Sequence, residues 1–306
     1  MSFLKDFSEY KDCAPAGVKL PEINIEDKYY KQLKLDKDTS NYDFLRALCL
    51  DGVKKKGIDK KKNKQVYYNR VKEELEILKE LGFIDYILLN WDILHFCHEN
   101  DIPTGPGRGS AAGCLVLYLI EVTQVDPIKY DLFFERFVSK SRARKIERNG
   151  ETFLDGSLLA DVDNDIAYER RAEVIDYIKR KHPNRSCKIL TLNTLSGKLC
   201  IKECGKIVGN YSEQDVNEVS DSIPKRFGKV APLKEAYEES EKFKLWVDEN
   251  QDIFKIARKL EGLNKNTGVH PSGIAISFYP LDEICPLQQT NDGDLVSGYD
   301  MNWVAE

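Results

Sequence analysis

The stretch Thr104-Gly-Pro-Gly-Arg-Gly-Ser-Ala-Ala-Gly113 lies between a short extended segment and a strongly apolar run, 114–122. Glycine lets a backbone approach a ligand closely, and glycine-rich turns can direct several N–H groups at one anion. Arg108 adds a charged, planar set of donors that suits phosphate, and a helix over 114–122 would add the positive end of its dipole. A tight turn before a helix is the alternative, but it does not require glycines, arginine and serine together. The stretch therefore predicts a binding site for an anionic group.

A second candidate site is the acidic run Leu159-Ala-Asp-Val-Asp-Asn-Asp-Ile166, which we interpret as a strand. Alternate residues of a strand point to the same face, so Asp161, Asp163 and Asp165 would project side by side. Carboxylates this close repel one another unless a proton or a cation intervenes. Mg²⁺ prefers oxygen ligands and is commonly shared between carboxylates and substrate phosphates. Together with the glycine-rich stretch, the run indicates metal-dependent nucleotidyl transfer.

Two alternatives stay open for the acidic run. A calcium-binding EF-hand loop also begins Asp-x-Asp-x-Asp, but it needs glycine at its sixth position and glutamate at its twelfth. Ile166 and Ala172 stand at those two positions, which disfavours an EF-hand. A solvated surface strand is the stronger alternative, although the apolar residues Leu158, Leu159 and Ile166 argue against full exposure.

The composition is that of a globular protein. The 306 residues are 42% hydrophobic, 10% aromatic and 32% charged, enough for two domains or for one domain with an insertion. No apolar run approaches the roughly 20 residues needed to span a bilayer. The first residues lack the apolar core of a signal peptide. We therefore expect a cytoplasmic protein with no membrane partner.

Eight cysteines are scattered along the chain, and none forms a Cys-x-x-Cys pair. In a cytoplasmic chain they are expected to be reduced and mostly buried, with Cys200 and Cys204 on one face of a helix. The cluster of His95, Cys97 and His98 could bind a metal ion. No second ligand pair has matching spacing, so this cluster favours an ordinary helix.

The distribution of charge is more informative than the net charge of −5. Lysine and arginine crowd 54–64, 140–148 and 179–206, whereas acidic residues concentrate in 213–249. We interpret 54–64 as a solvated loop. Because basic residues are grouped rather than dispersed, a nucleic-acid partner is compatible with the acidic total.

Hydrophobic periodicity and turn residues predict helices around a few strands. Helices are predicted over 42–52, 67–81, 84–100, 114–122, 169–181 and 194–208, with a largely helical segment over 212–263. Strands are predicted over 159–166 and 273–278, and a flexible loop over 139–158. Since a helical block separates the early strand from the late one, the pattern predicts a mixed α/β core with a helical insertion.

Several blocks resemble, in order, the bacterial replicative C-family DNA polymerases, the α subunits of DNA polymerase III. The block Gly105–Gly113 matches the family signature residue for residue, and Gly82-Phe-Ile-Asp-Tyr-Ile-Leu-Leu-Asn-Trp-Asp92 is similar to a second family block. Asp126–Phe137 is similarly close, and the family's acidic strand corresponds to Ala160–Ile166. Gly268-Val-His-Pro-Ser-Gly273 resembles a further segment. The resemblance covers roughly residues 20–306.

The resemblance implies an α/β (α+β) fold, with a polymerase-β-like nucleotidyltransferase palm, a mixed sheet and an inserted helical thumb. It implies palm over 29–192, thumb over 193–265 and further palm over 266–306, whereas an amino-terminal arm or linker over 1–28 is indicated by Pro15, Pro21 and the lack of a hydrophobic period there. The implied activity is Mg²⁺-dependent transfer of deoxynucleotides to a primer 3′-OH in DNA replication. Primer–template DNA and deoxynucleoside triphosphates are the implied partners, in a bacterial or phage-infected bacterial cytoplasm.

The family's site residues carry over position by position. Asp161 and Asp163 match two catalytic aspartates that bind a pair of Mg²⁺ ions, and Asp165 matches an acidic position that is not a main ligand. The residues implied to hold the incoming triphosphate are Gly105, Gly107, Arg108, Gly109 and Ser110. Those implied to contact DNA are Lys198, Lys202, Lys265 and His270. The first two of these lysines stand where the family has arginines, so bidentate phosphate contacts would be lost.

The chain also departs from the family pattern. It lacks the family's amino-terminal PHP domain and carries an insertion around 143–157. The family's third catalytic aspartate follows the block seen here as Tyr299–Val304, and the sequence ends at Glu306. We therefore expect half of a split, phage-type polymerase or a truncated piece, which needs a second polypeptide carrying that aspartate and the fingers.

Two further functional hypotheses stay open. One is a silent DNA-binding or assembly subunit derived from a polymerase. The other is a small stand-alone nucleotidyltransferase that uses Asp294 or Asp300 as its third carboxylate. Template-independent transfer of a nucleotide would support the second.

Overall fold

The computed structural model describes residues 17–138, 145–148, 150–154, 162–226 and 228–304. These residues divide into two units, one drawn from Met1–Lys188 and Gly273–Glu306, the other from Ile189–Ser272. Helices predominate, and strands form a mixed sheet. The expected α+β class is therefore confirmed.

The α-helices belong to both units. In chain order they are α1 (Asp27–Gln32), α2 (Asn41–Lys55), α3 (Lys64–Leu81), α4 (Ile84–Glu99), α5 (Leu115–Leu119), α6 (Arg171–Lys181), α7 (Gly197–Ile207), α8 (Glu213–Asp221), α9 (Leu233–Glu239), α10 (Glu241–Glu249), α11 (Gln251–Leu260) and α12 (Leu281–Ile284). Helices α7 to α11 lie in the second unit and the others in the first. Within the described ranges, no helix combines the length and apolarity needed to cross a membrane.

The strands form one four-stranded sheet and two small hairpins. They are β1 (Lys145–Arg148), β2 (Glu151–Leu154), β3 (Ser186–Thr194), β4 (Lys225–Arg226), β5 (Lys229–Val230), β6 (Asn264–Ile276), β7 (Leu287–Gln289) and β8 (Leu295–Asp300). The larger sheet has the order β6-β3-β8-β7, with β7 and β8 antiparallel. β6 begins well before the strand predicted over 273–278. The prediction missed its first residues because they are polar and exposed and show no apolar alternation.

Helices α2 to α5 build the main core of the first unit. Apolar positions at helical spacing place Phe44, Leu78 and Leu88 at zero exposure. Helix α3 ends at Gly82, as its sequence predicts, because φ of +75° there is a left-handed conformation that glycine adopts without strain. Gly52 allows α2 to touch α5, since a Cβ there would lie 2.1 Å from the carbonyl oxygen of Leu119.

The helix predicted over 114–122 is mostly wrong. Residues Gly109–Gly113 form a 3-10 helix, and α5 is only five residues long. Glu121 has φ of +64°, a conformation that a right-handed helix excludes. The chain then turns back, and the Gln124 amide donates to the Pro106 carbonyl at 2.8 Å. The apolar run is buried because α5 packs against α2 and α3 in the core of the first unit.

Two predictions for 139–166 also need correction. The flexible loop predicted over 139–158 contains an antiparallel hairpin of β1 and β2, in which Ile146 is opposite Phe153. Leu154 exchanges two backbone hydrogen bonds with Val18, which anchors the hairpin. Within the acidic run, residues 162–166 form only an isolated bridge, at Ile166, rather than a strand. Asp161 lies outside the described residues.

The second unit has its own core. Ile201, Leu233 and Phe243 are fully buried there. Cys200 and Cys204 both face this core from α7, as their spacing predicted. The seven cysteines in the described part of the chain are free thiols and six are buried, which agrees with the expectation of reduced, mostly buried residues. The cluster of His95, Cys97 and His98 lies in α4, so its interpretation as part of a helix is confirmed.

Candidate functional site

The glycine-rich stretch and the acidic run are directly paired. The Gly105 amide donates to the carbonyl of Asp165 at 2.9 Å, and an antiparallel bridge joins Thr104 to Ile166. A Cβ at Gly105 would lie 2.7 Å from Cβ of Asp165, so only glycine permits this approach. The acidic run therefore takes the glycine-rich stretch as its backbone partner, which explains why it is not a strand of the sheet.

Gly107 combines a left-handed backbone conformation with a close contact. Its φ is +89°, and a Cβ there would lie 2.8 Å from Cγ2 of Thr123, a residue that is 1% exposed. The segment around Thr123 is held in place by the hydrogen bond from Gln124 to Pro106. The stretch is thus supported from beneath by the turn that follows α5. Gly109 also has positive φ, +65°, but open space surrounds it.

Arg108 is the charged side chain that joins the two motifs. Its Nε lies 3.5 Å from Oδ2 of Asp163 and 3.7 Å from Oδ1 of Asp165. The side chains are 63%, 57% and 51% exposed, so these ion pairs add little stability. All three groups therefore face solvent, where an anionic ligand and a cation can reach them.

The alternation of side chains in the acidic run sets this arrangement. Asp163 and Asp165 are exposed, whereas Val162 packs against the core of the first unit. Asn164 points inward and donates to Oδ1 of Asn90 at 2.9 Å. The amide of Asn90 donates in turn to the Tyr86 carbonyl of α4. Asn164 thus ties the backbone between the two aspartates to α4.

The donor chemistry fits a magnesium ion. Asp163 and Asp165 present hard carboxylate oxygens on one side of the chain, and Mg²⁺ is usually held by one or two carboxylates together with substrate phosphates. In the described part of the chain, no three acidic, histidine or cysteine side chains converge on one point. The described carboxylates could therefore hold an ion only with further ligands. Asp161, which the sequence pairs with Asp163, lies outside the described residues.

Ser110 and His98 flank the site on its two sides. Ser110 is half-buried in the 3-10 helix that follows Arg108. The His98 Nε2 lies 3.2 Å from Oγ1 of Thr104, the residue that begins the stretch. His98 is therefore a neighbour of the site that sequence reasoning missed. In the sequence His98 is marked only as a histidine in the last turn of a helix, a position that many histidines without a functional role also occupy.

The lysines proposed for DNA contact lie in the second unit. Lys198 and Lys202 are one turn apart on α7, and Lys198 donates to Asp221 at 3.0 Å. Both lysines lower the pKa of the Asp221 carboxyl, Lys198 through its hydrogen bond above all. Lys265 is exposed on β6, and His270 is half-buried on the same strand.

Asp294 and Asp300 have different surroundings from the acidic run. Asp294 accepts hydrogen bonds from Lys179 and Lys188, each at 2.5 Å, so both of its oxygens are occupied. Asp300 is 6% exposed and accepts from Asn302 through Oδ2. Asp294 therefore serves to join α6 and β3 to the start of β8, which is a structural role.

We expect Asp294→Asn to lower stability at neutral pH and to flatten its loss in acid. The hydrogen bonds from Lys179 and then Lys188 hold the pKa of the Asp294 carboxyl below its usual value. A depressed pKa contributes stability above the unfolded value, about 4, that is lost as pH falls through the folded value. The variant should lose about 2 kcal/mol at pH 7.

Urea unfolding at pH 7 and pH 3 measures this effect. Asp292→Asn is the matched control, because Asp292 is exposed in the same turn. Equal free energies of unfolding for the Asp294 variant and the wild type at pH 7 would contradict the structural role.

Comparison with known proteins places the whole site within one family. Residues 43–306 match the family described as Bacterial DNA polymerase III alpha NTPase domain. The chain is 37% identical over 272 residues to DNA polymerase III subunit alpha of Halalkalibacterium halodurans, which is 87% of this chain and 23% of that protein. It is 32% identical over 305 residues to the Bacillus subtilis protein of the same name, 97% of this chain and 26% of that protein. The chain thus spans about a quarter of the length of these relatives.

Proposed function

This chain belongs to the family of the bacterial DNA polymerase III alpha NTPase domain, and from that membership we propose that it is the nucleotide-binding part of a DNA-directed DNA polymerase. Its substrates would be a deoxynucleoside triphosphate and a primer–template DNA. The observation that carries the proposal is the pairing of Gly105 with Asp165, with Arg108 between Asp163 and Asp165. A phosphate-binding stretch and a carboxylate cluster in contact are what nucleotidyl transfer requires.

Each group has a distinct role in this proposal. The backbone amides of Gly107, Arg108, Gly109 and Ser110 and the guanidinium of Arg108 bind the triphosphate, while Gly105 holds the stretch against Asp165. Asp163 and Asp161 hold Mg²⁺, which when bound supplies charge stabilisation for the transferred group and the leaving pyrophosphate. The Arg108 guanidinium can turn toward a phosphate, since its two contacts with aspartates are longer than a hydrogen bond of optimal length.

The proposed fold assignment is a polymerase-β-like palm with a helical thumb. β7 and β8 would belong to the palm, and helices α7 to α11 of the second unit would correspond to the thumb. Lys198, Lys202, Lys265 and His270 would contact the primer–template from that unit. Contacts of this kind to phosphates weaken steeply as salt rises.

The third catalytic carboxylate and the fingers are proposed to come from polypeptide outside these 306 residues. The proposal rests on the length of the relatives, of which the chain spans about a quarter. The occupation of Asp294 by Lys179 and Lys188 also disfavours a stand-alone enzyme that uses Asp294. Primer extension by the chain alone should therefore be weak, and processive synthesis would overturn this part of the proposal.

Asp163→Asn tests the metal role with a result that depends on Mg²⁺. With Mg²⁺ present, the variant should bind a deoxynucleoside triphosphate at least about tenfold more weakly, because a metal ligand is lost. In EDTA it should bind as well as the wild type or better, because one carboxylate no longer repels the triphosphate. Titration of a fluorescent nucleotide measures both constants.

The exposed Asp176 on α6 provides the matched control, as Asp176→Asn makes the same chemical change outside the site. Equal losses in the two variants, or a loss that does not depend on Mg²⁺, would count against the metal role. A silent DNA-binding or assembly subunit is the other outcome. In that case Asp161→Asn and Asp163→Asn would change neither nucleotide binding nor synthesis by the complete polymerase.

A further inference from the structure

Two charged residues of α3 reach the end of the glycine-rich stretch that lies away from the aspartates. Arg70 and Glu74 are one turn apart, and Nε of Arg70 donates to Oε1 of Glu74 at 2.6 Å. Glu74 has zero exposure, and the side chain of Arg70 is 21% exposed. A buried pair of this kind is held at a desolvation cost, so its contacts define its role better than its contribution to stability does.

Glu74 binds the start of α5. Its Oε2 accepts from the amide of Val116 at 2.9 Å and from the thiol of Cys114 at 3.4 Å. These donors immediately follow the 3-10 helix Gly109–Gly113. The carboxylate therefore fixes where the glycine-rich stretch ends and α5 begins. It binds the Cys114 thiol and the Val116 amide, a donor that a helix start leaves without an intrahelical acceptor.

Arg70 binds the other face of the same junction. Its second guanidinium nitrogen donates to the carbonyls of Gly113 and Leu132, both at 3.2 Å. Gly113 is packed so closely that a Cβ there would lie 2.5 Å from the carbonyl oxygen of Phe133. The fork of Arg70 thus holds two chain segments together where no side chain fits between them, and the geometry requires a planar, multi-donor group.

We propose that Arg70 and Glu74 are positioning residues that hold the carboxyl-terminal end of the glycine-rich stretch in the conformation that binds triphosphate. The inference rests on the proposed function. The stretch is fixed at one end by Gly105 on Asp165 and at the other by Arg70 on Gly113. The amides of Arg108, Gly109 and Ser110 lie between these two attachments. Displacement of one attachment misdirects the amides, and small misplacements of binding groups have large effects.

Arg70→Lys and Glu74→Gln test the inference while preserving most of the packing. Lysine keeps the charge but cannot reach Glu74, Gly113 and Leu132 with one planar fork. Glutamine keeps an acceptor for Val116 but loses the ion pair. Glu73→Gln, at an exposed position of α3, is the matched control. The measurements are affinity for a fluorescent deoxynucleoside triphosphate with Mg²⁺, affinity for primer–template DNA, and thermal unfolding.

Both variants should lose about tenfold in nucleotide affinity, with DNA affinity within twofold of wild type. Hydrogen exchange at the amides from Gly113 to Val116 should be faster in Arg70→Lys while exchange in the second unit stays as in the wild type, which separates a loosened attachment from poor folding. Unchanged nucleotide affinity in folded Arg70→Lys and Glu74→Gln would overturn this inference but not the proposed function. Equal losses of nucleotide and DNA affinity would assign the pair to general stability and also overturn it. A wild-type chain that binds no nucleotide would overturn the proposed function, and this inference with it.

Discussion

Gly107→Val is expected to weaken nucleotide binding roughly 30-fold or more. The φ of +89° at this position costs a residue with a side chain about 1–2 kcal/mol, and a β-branched residue is the least tolerant. The new Cβ would also meet Cγ2 of buried Thr123 at 2.8 Å, which adds about 1–3 kcal/mol. The glycine-rich stretch can relieve the strain and the clash only by shifting its backbone. That shift would turn the amides proposed to bind triphosphate away from it. The summed cost corresponds to the expected loss of affinity.

Two further variants separate conformation from crowding. Gly109 also has positive φ, but nothing lies within 4 Å of a Cβ there, so Gly109→Ala should show the conformational cost alone. Thr123→Ser removes the methyl group that crowds Gly107. Combined with Gly107→Ala, it should recover part of the lost nucleotide affinity, a coupling that a double-mutant cycle measures. Strict additivity of the two changes would contradict the proposed contact.

Gly52→Ala is expected to destabilise the first unit by about 3 kcal/mol. A Cβ at this position would lie 2.1 Å from the carbonyl oxygen of Leu119 and 2.8 Å from its carbonyl carbon. Because the obstacle is backbone, no side-chain rotation relieves it, and α2 and α5 have to separate. For a unit of this size the melting temperature should fall by roughly 6–12 °C.

Thermal unfolding followed by circular dichroism measures this effect. Asp51→Ala, at the neighbouring half-buried position of α2, removes an ion pair with Lys55. That control should cost about 0.5 kcal/mol or less. A melting temperature for Gly52→Ala no lower than that of the control would show that the helices are not in the contact described.

The features that could be predicted from sequence are those set by neighbouring residues. Helix α3 was predicted because its apolar residues repeat at helical spacing and Gly82 ends it, and both signals lie within the helix itself. That the glycine-rich stretch and the acidic run serve one site was inferred from the chemistry of their residues, and the resemblance to a family implied the same. The structure supports it through the hydrogen bond between Gly105 and Asp165.

The features that could not be predicted depend on residues far apart in the chain. Nothing near Glu121 signals its left-handed conformation, which shortens α5 and carries Thr123 beneath Gly107. In the same way, the lysines that occupy Asp294 come from α6 and β3. An acidic residue in a turn looks the same in sequence whether it binds a metal ion or two lysines.

By itself, the sequence determined where the backbone can bend and where charges recur. Glycines at 105, 107 and 109 allow positive φ and close approach, and alternating aspartates place Asp163 and Asp165 on one side. Only the tertiary structure decided what each group faces, because that depends on packing between distant segments. It set Arg108 between the two aspartates and attached Arg70 and Glu74 of α3 to the far end of the stretch. Local conformational preference specifies the parts of this site, and long-range packing specifies their partners.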